Sequence, residues 1–213
     1  MNRIFLAGGS RGLGLEIARV LSKKEGSRVA LLRPPSSATV QLQALGFQTR
    51  SGDACDRELM ASILMDLNPH TVISTIGGTS SEGIRSDFIA NRNLIDAAIQ
   101  AQVQHFILIT SLGTGNSRSS IPDRAYEVLK GALIEKDKAE QHLISSGLTY
   151  TIVRPGGLKS EPATGTAQRV SDPNQGGLIY RADCAQLVVS CIDNDRVYNQ
   201  IFGAIDPGLM RTF

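Results

Sequence analysis

The sequence has no excess of charge of either sign and no long hydrophobic run. Its 22 Lys and Arg residues against 20 Asp and Glu leave a formal net charge of +2, so charge alone predicts neither a nucleic-acid partner nor an anionic membrane surface. No apolar run approaches the ~20 residues that a membrane-spanning helix needs. The first residues, MNRIFLAGG, lack the regions of a signal peptide, so we expect a cytoplasmic protein.

Cysteine is also scarce. The three cysteines, Cys55, Cys184 and Cys191, form an odd set without a CxxC motif, and no histidine lies at metal-ligand spacing from them. This pattern suggests neither a disulfide framework nor a zinc site. We therefore expect three buried, inert thiols in a reducing compartment, and structural roles for the three histidines.

The sequence does contain a regular alternation of strand and helix patterns. With 213 residues, 41% of them hydrophobic and 20% charged, the chain fits one folded domain. Short, nearly continuous apolar runs predict strands over 4–7, 29–32, 47–51, 71–76, 105–110 and 150–154. Apolar residues at helical spacing predict helices over 12–24, 38–45, 57–67, 87–101 and 123–145. This order predicts an α/β fold with a doubly wound parallel sheet, the Rossmann fold.

The region after the sixth predicted strand has a different composition. Residues 156–177 are rich in Gly, Pro, Ser and Asn, and a helix near 183–191 and a last strand near 199–203 follow. A long loop at the carboxyl end of a strand is typical of a ligand-binding segment. We therefore expect a single domain over 1–213, in which 156–213 form a small substrate region with a mobile lid at 156–177.

A glycine-rich turn joins the first predicted strand to the first predicted helix. The strand RIFLA runs into GGSRGLG, and a helix with the pattern LEIARVL follows. Gly8 permits a tight turn, Gly12 lets the backbone approach a diphosphate, and Gly14 lets helix and strand pack closely. The free N–H groups at the start of the helix favour an anion. The turn therefore predicts a dinucleotide site whose first residues are Gly8, Gly9, Ser10, Arg11, Gly12, Leu13 and Gly14.

The end of the second strand predicts which dinucleotide binds. An NAD site usually has an acidic residue there that accepts a hydrogen bond from the ribose 2′-hydroxyl, whereas this strand ends ALLR. The Arg33 guanidinium fits a 2′-phosphate, and Arg11, Ser36 and Ser37 offer further donors. NADP(H) is therefore the predicted cofactor. The alternative for Arg33 is a solvated charge at a strand end.

Two later strand ends add candidate cofactor contacts. Asp53 and Ala54 follow the third strand, where a carboxylate can accept a hydrogen bond from the adenine amino group. After the fourth strand, glycines let the backbone lie against the cofactor. The candidates there are Thr75, Ile76, Gly77 and Gly78.

Together with later motifs, these residues resemble the atypical short-chain dehydrogenase/reductases. The motifs are GDA at 52–54, TIGG at 75–78, ITSLG at 109–113, SGLTYTIVRPGGL at 146–158 and RADCA at 181–185. The resemblance covers nearly the whole chain and is strongest to the NAD(P)H-binding branch that includes biliverdin reductase B and the NmrA-like redox sensors. One departure is the glycine spacing, which is similar to that of the ordinary dehydrogenases of the superfamily. The resemblance implies further cofactor contacts by Thr110, Ser111, Lys136, Pro155, Gly156, Gly157 and Leu158.

The catalytic residues of related dehydrogenases are a serine, a tyrosine and a lysine. The resemblance places the serine at Ser111, the lysine at Lys136 and the tyrosine at Ala132, so the general acid is missing. A YxxxK motif does occur at Tyr126 and Lys130. On a helix, however, Lys130 lies about 120° away from Lys136, which is on the side that faces the sheet. We interpret this motif as coincidental, with a displaced catalytic pair as the alternative.

The absence of a general acid affects which substrates the protein could reduce. Reduction of a simple carbonyl loses about 10²–10⁴-fold without general acid catalysis, whereas a flavin, quinone or tetrapyrrole-like acceptor delocalises the charge. We therefore predict an NADPH-dependent reductase of a planar conjugated acceptor, with Ser111 and Lys136 as catalytic residues and Leu158 and Ile179 as apolar residues of the lid. One alternative is a non-catalytic NADPH-binding redox sensor or assembly factor that acts through a protein partner. Another is a conventional dehydrogenase or epimerase.

Overall fold

The computed structural model describes residues 2–79, 83 and 85–209. The strands are β1 Arg3–Ala7, β2 Ser27–Leu32, β3 Gln48–Ser51, β4 Thr71–Ser74, β5 His105–Ile109, β6 Tyr150–Pro155, β7 Gly157–Lys159, β8 Gln168–Val170, β9 Leu178–Tyr180 and β10 Gln200–Ile205. The α-helices are α1 Gly12–Leu21, α2 Thr39–Ala44, α3 Arg57–Leu67, α4 Ile89–Gln100, α5 Asp123–Ile144 and α6 Arg181–Val189. Two short 3₁₀ helices lie at Gly115–Ser120 and Asp195–Val197.

Eight strands form one sheet in the order β3-β2-β1-β4-β5-β6-β10-β8, and β7 pairs with β9 in a separate parallel ribbon. Neighbouring strands of the large sheet are parallel except for β8, which runs antiparallel to β10. The chain reverses its winding direction between β3 and β4, so that β1 and β4 lie side by side. In open α/β sheets a ligand crevice forms at such a point. The predicted doubly wound α/β fold is therefore confirmed.

Helices cover both faces of the sheet because successive side chains of a strand point to opposite faces. On one face, Leu6 of β1 belongs to a buried cluster that includes Ile17 of α1 and Ala185 of α6. On the other face, Phe5 of β1 belongs to a cluster that includes Leu94 of α4. All of these side chains are fully buried. This two-sided burial explains why the central strands are apolar along their whole length.

The segment 156–177 contains more regular structure than its composition indicates. It contributes β7 to the small ribbon and β8 to the edge of the large sheet. Two buried carboxylates also hold it, because the Thr164 amide donates to Asp183 (2.8 Å) and the Thr166 hydroxyl donates to Asp206 (2.8 Å). The prediction of a loop throughout this segment is therefore wrong. Main-chain pairing and two distant aspartates determine its conformation, and neither is visible in its composition.

The cysteines differ from one another in burial. Cys184 and Cys191 are fully buried, and burial raises the pKa of their thiols to about 12 and about 11, which makes them inert. Cys55 is exposed because it lies in the turn between β3 and α3, and this corrects the expectation of three buried thiols. Within the described ranges, no group of His, Cys, Asp and Glu side chains is arranged to hold a metal ion. No helix in that part of the chain is both long and apolar enough to cross a bilayer.

A buried histidine lies at the start of β5, at the amino end of the sheet. The Nε2 atom of His105 is 2.8 Å from the Thr151 hydroxyl oxygen, and its ring centroid is 4.7 Å from that of Tyr198. Burial lowers the pKa of His105 to about 4, because the charged imidazolium loses its hydration. His105 is therefore neutral at pH 7 and belongs to the packing of this edge.

Candidate active site

The carboxyl ends of the central strands open into a cleft of about 860 Å³. It runs from the turn after β1, across the ends of β4 and β5, to the side of α5. Most of the residues that the sequence predicts for the site line this cleft. They are Gly8, Ser10, Arg11, Gly12, Leu13, Gly14, Arg33, Ser36, Ser37, Asp53, Ala54, Thr75, Ile76, Gly77, Gly78, Thr110, Ser111, Lys136 and Leu158.

The residues predicted for the site that do not line the cleft are Gly9, Pro155, Gly156 and Gly157. A Cβ atom at Gly9 would lie 3.0 Å from Leu6 Cδ2, so this glycine packs on the core. A Cβ atom at Gly156 would lie 2.4 Å from the carbonyl oxygen of Gly177. None of the four lines the cleft as expected, and Gly156 lets two segments of the chain approach each other.

The turn after β1 has the geometry that a bound diphosphate requires. Gly8 has a φ of +87°, and a Cβ atom at Gly14 would lie 2.1 Å from the Gly8 carbonyl oxygen. The first turn of α1 contains no acidic residue, and no side chain caps its free N–H groups. A helix N-terminus in this state binds anions through its N–H groups and its dipole. The turn therefore fits the diphosphate of a dinucleotide.

The residues predicted to bind a 2′-phosphate lie at the end of the cleft beside β2 and β3. Arg33 and Ser37 line it, and more than half of the Arg33 side chain is exposed. One Arg33 Nη1 atom lies 3.9 Å from a carboxylate oxygen of Asp53, a proximity that the sequence order does not reveal. Both side chains are solvated, and such pairs contribute at most about 1 kcal/mol. Arg33 is therefore free to bind a phosphate.

The middle of the cleft contains a buried carboxylate that sequence reasoning missed. Asp87 is only 1% exposed and lies 2.9 Å from Lys136 Nζ and 3.2 Å from Arg85 Nη2. The Gly78 amide donates to the same carboxylate (3.1 Å). Asp87 thereby holds the predicted catalytic lysine in the cleft. It lies in the loop before α4, where no local pattern distinguishes it from a residue at a helix start.

Beneath the far end of the cleft lies a buried polar network. Glu140 of α5 receives two hydrogen bonds from the Arg154 guanidinium (3.0 and 2.6 Å) and one from the Thr110 hydroxyl (2.6 Å). Glu140 and Arg154 are almost fully buried. Next to Thr110, the Ser111 hydroxyl donates to the Leu112 carbonyl (2.9 Å) and lines the cleft. The network thereby fixes the end of β5 against α5.

The structure separates the two lysines that the sequence offered as candidates. Lys136 and Ala132 line the cleft, whereas neither Tyr126 nor Lys130 does. The Tyr126 ring instead lies under Arg118, whose guanidinium carbon is 3.8 Å from the ring centroid. The geometry is that expected for a coincidental YxxxK motif.

The two apolar residues predicted for the lid differ. Leu158 lines the cleft, but Ile179 is fully buried in the core between the sheet and α6. The expectation for Ile179 is therefore wrong, because alternation along β9 points its side chain inward. Further lining residues that sequence reasoning did not assign are Leu31, Pro34, Pro35, Ala38, Gly52, Arg85, Ser86, Asp87, Ala90, Ile109 and Arg181.

A glycine-rich turn that opens a helix at the switch point of a doubly wound sheet defines a dinucleotide-binding Rossmann protein. More particularly, the chain belongs to the NAD(P)H-binding family, whose family model matches residues 8–195. This membership confirms the NAD(P)H cofactor and the predicted resemblance to atypical short-chain dehydrogenase/reductases. A short-chain dehydrogenase/reductase from Veillonella parvula, solved in complex with NADP, shares the fold with a TM-score of 0.78 at 13% identity.

Two named relatives are similar over different shares of their length. The anaerobilin reductase ChuY from Escherichia coli O157:H7 superposes with a TM-score of 0.88 at 33% identity, over 99% of this chain and 100% of that one. The protein TIC 62 of Pisum sativum is 36% identical over 178 residues, which are 74% of this chain and 33% of TIC 62. This chain thus spans about a third of that relative.

Proposed function

We propose that the protein is an NADPH-dependent reductase of a planar conjugated acceptor such as a flavin, a quinone or a tetrapyrrole-like molecule. The observation that carries this proposal is the far end of the cleft. Ser111, Lys136 and Ala132 line the cleft, and the resemblance places Ala132 where a dehydrogenase has its tyrosine acid.

Different residues along the cleft would bind different parts of the cofactor. The turn from Gly8 to Gly14 would hold the diphosphate, Arg33 the 2′-phosphate, and Lys136 the ribose next to the nicotinamide. When bound, NADPH supplies a hydride at the nicotinamide. Asp87 keeps Lys136 in place through their 2.9 Å ion pair, and Ser111 offers a hydroxyl to the acceptor.

Among the described residues, no side chain at this end of the cleft is suited to deliver a proton at neutral pH. Of the described residues that line it, none is Tyr, His or Cys. The Lys136 ammonium is engaged by Asp87, and the Ser111 hydroxyl donates to a carbonyl. An acceptor whose added charge is delocalised can take its proton from water, whereas an isolated carbonyl depends on a positioned acid. A conjugated acceptor therefore fits this site better than an isolated carbonyl.

The names of three relatives support reductase chemistry. They are the anaerobilin reductase ChuY, the sanguinarine reductase of Eschscholzia californica and the NAD(P)H azoreductase of Xenophilus azovorans. The sanguinarine reductase is 34% identical over 123 residues, which are 54% of this chain and 43% of the relative. The second candidate function, a non-catalytic NADPH-binding protein, is favoured by Ala132 alone.

Oxidation of NADPH at 340 nm, with FMN, a simple quinone and a simple ketone as acceptors, tests the proposal. We expect turnover with FMN or the quinone, none with the ketone, and a loss of about tenfold in kcat/KM in Ser111→Ala. Ser145→Ala, on the exposed end of α5, is the control and should match the wild type. Tight NADPH binding without oxidation by either conjugated acceptor would favour the non-catalytic function instead.

A further inference from the structure

We propose that Arg181 binds the cofactor diphosphate and that the C-terminal region thereby completes the cofactor site. The proposal rests on the family's NAD(P)H cofactor and is independent of the acceptor proposed above. Arg181 lies in the RADCA motif, to which the function described so far assigns no role.

Arg181 stands beside the glycine-rich turn although it is far away in sequence. It is the first residue of α6 and lines the cleft. Helix α6 packs along α1, since Cys184 and Val188 share a buried cluster with Ile17. A Cβ atom at Gly12, the first residue of α1, would lie 3.7 Å from Arg181 Nε. The two helices therefore begin side by side at the diphosphate end of the cleft.

The positive charge of Arg181 is not neutralised within the described ranges. No ion pair there involves Arg181, and its Nη1 donates to the Ser160 hydroxyl oxygen (2.6 Å), a neutral group just after β7. The acid two residues further along, Asp183, accepts hydrogen bonds from the amides of Thr164 and Gly165 (both 2.8 Å). Arg181 therefore presents an unpaired guanidinium to the cleft.

A diphosphate is the anion that fits this position. The turn supplies main-chain N–H groups, whose partial charges do not neutralise two phosphates. A guanidinium adds a full charge and two parallel donors, which match phosphate oxygens. The Ser160 contact orients the side chain and links the segment after β7 to the same ligand.

The diphosphate is common to NADH and NADPH, whereas the 2′-phosphate occurs only in NADPH. Arg181 should therefore act equally on both dinucleotides, and Arg33 only on NADPH. A third ligand, 2′-AMP, carries the adenine and the 2′-phosphate but no diphosphate. The three ligands together distinguish the two arginines.

Titrations of NADPH, NADH and 2′-AMP test the assignment, with nicotinamide fluorescence for the dinucleotides and calorimetry for 2′-AMP. Arg181→Gln is expected to weaken NADPH and NADH by the same factor, about tenfold or more, and to leave 2′-AMP unchanged. Arg33→Gln is expected to weaken NADPH and 2′-AMP and to spare NADH. Arg196→Gln, an exposed arginine at the other end of the sheet, is the control and should change none of the three.

An unchanged NADPH affinity in Arg181→Gln would overturn the assignment. So would a loss for 2′-AMP as large as that for NADPH, because the effect would then lie outside the diphosphate. If Arg181→Gln does not fold, Arg181→Lys carries the same test, with a smaller loss shared by NADPH and NADH. A wild type that binds NADPH but reduces no acceptor would end the proposed reductase and leave this assignment standing.

Discussion

Main-chain groups form one end of the cleft, and charged side chains form the other. The diphosphate end consists of main chain: a glycine with a φ of +87° and helix N–H groups that no side chain caps. From its middle to the acceptor end, the cleft rests on ion pairs of buried carboxylates, in which Asp87 holds Lys136 and Glu140 holds Arg154. At the diphosphate end, the space around the backbone therefore determines which substitutions are tolerated. At the other end, the need to keep buried charges paired determines it.

This difference predicts different responses to substitution. A methyl group added to the diphosphate end collides with backbone, and the shift that relieves the collision disturbs ligand binding and local packing together. Removal of one partner at the acceptor end leaves a buried charge unpaired, so the whole fold loses stability while the turn remains intact.

The largest effect is expected at Glu140. Glu140→Ala removes the carboxylate that pairs with the buried Arg154 guanidinium and accepts from the Thr110 hydroxyl, and leaves Arg154 only the neutral Asn116 side chain, which should lower the free energy of unfolding by about 3–5 kcal/mol. Urea unfolding of the wild type and the variant measures this loss of stability. Glu135→Ala, which removes an ion pair with the half-exposed Lys138, is the matched control and should cost less than about 1 kcal/mol. Equal costs for the two variants would contradict the buried network.

Gly14→Ala tests the other end of the cleft. The new Cβ would lie 2.1 Å from the Gly8 carbonyl oxygen, so α1 must shift away from β1. We expect a loss of about 2–3 kcal/mol in stability and loss of detectable NADPH binding. Gly147→Ala introduces a side chain at a φ of +78°, but its Cβ meets nothing within 4 Å, so it should keep full NADPH affinity. Normal binding by Gly14→Ala would contradict the close packing of the turn.

His105 lies far from the cleft, and the third prediction concerns its effect on the pH dependence of stability. Its pKa is about 4 in the folded protein, against 6.5 for an unperturbed histidine, so the unfolded chain binds the extra proton as the pH falls below about 6.5. Its contribution is thus complete above pH 6.5 and is lost between pH 6.5 and 4, with a cost of about 2 kcal/mol by pH 5.

Thermal unfolding of wild type and His105→Gln between pH 8 and 5 measures this dependence. The wild type should lose more stability than the variant over this interval, because the variant cannot take up that proton. Parallel pH profiles would show that His105 is not the titrating group.

The smallest of these effects is expected at Lys136. Lys136→Met removes one cationic donor from the cleft, but Asp87 keeps its ion pair with Arg85 (3.2 Å), so the cost to the fold should be small. The variant should weaken NADPH binding about tenfold, which corresponds to about 1.4 kcal/mol. Lys130→Met is the matched control, because Lys130 belongs to the YxxxK motif but is exposed and does not line the cleft. A loss confined to Lys130→Met would instead support the displaced catalytic pair.

Features of the fold and the site that depend on neighbouring residues could be predicted from the sequence. The glycine-rich turn and the strand–helix alternation depend on neighbouring residues, so the site at the end of β1 and the doubly wound sheet were predictable. Lys136 was distinguished from Lys130 because helical periodicity is also local.

The rest depends on contacts between distant parts of the chain. Examples are the pairing of Asp87 with Lys136, the place of Arg181 beside Gly12 and the antiparallel pairing of β8 with β10, each of which joins segments far apart in the sequence. Gly156 illustrates the limit, because a glycine that lets chain approach chain has the same sequence signature as one that faces a cofactor.

We propose that this cleft supports hydride transfer without a side-chain acid. The pH dependence of single-turnover NADPH oxidation by bound quinone or FMN tests it most directly. The account predicts a rate that is flat between about pH 6 and 9, and equal in wild type and Tyr126→Phe. A rate that rises or falls with a pKa in this range, and loses that dependence in Tyr126→Phe, would contradict it.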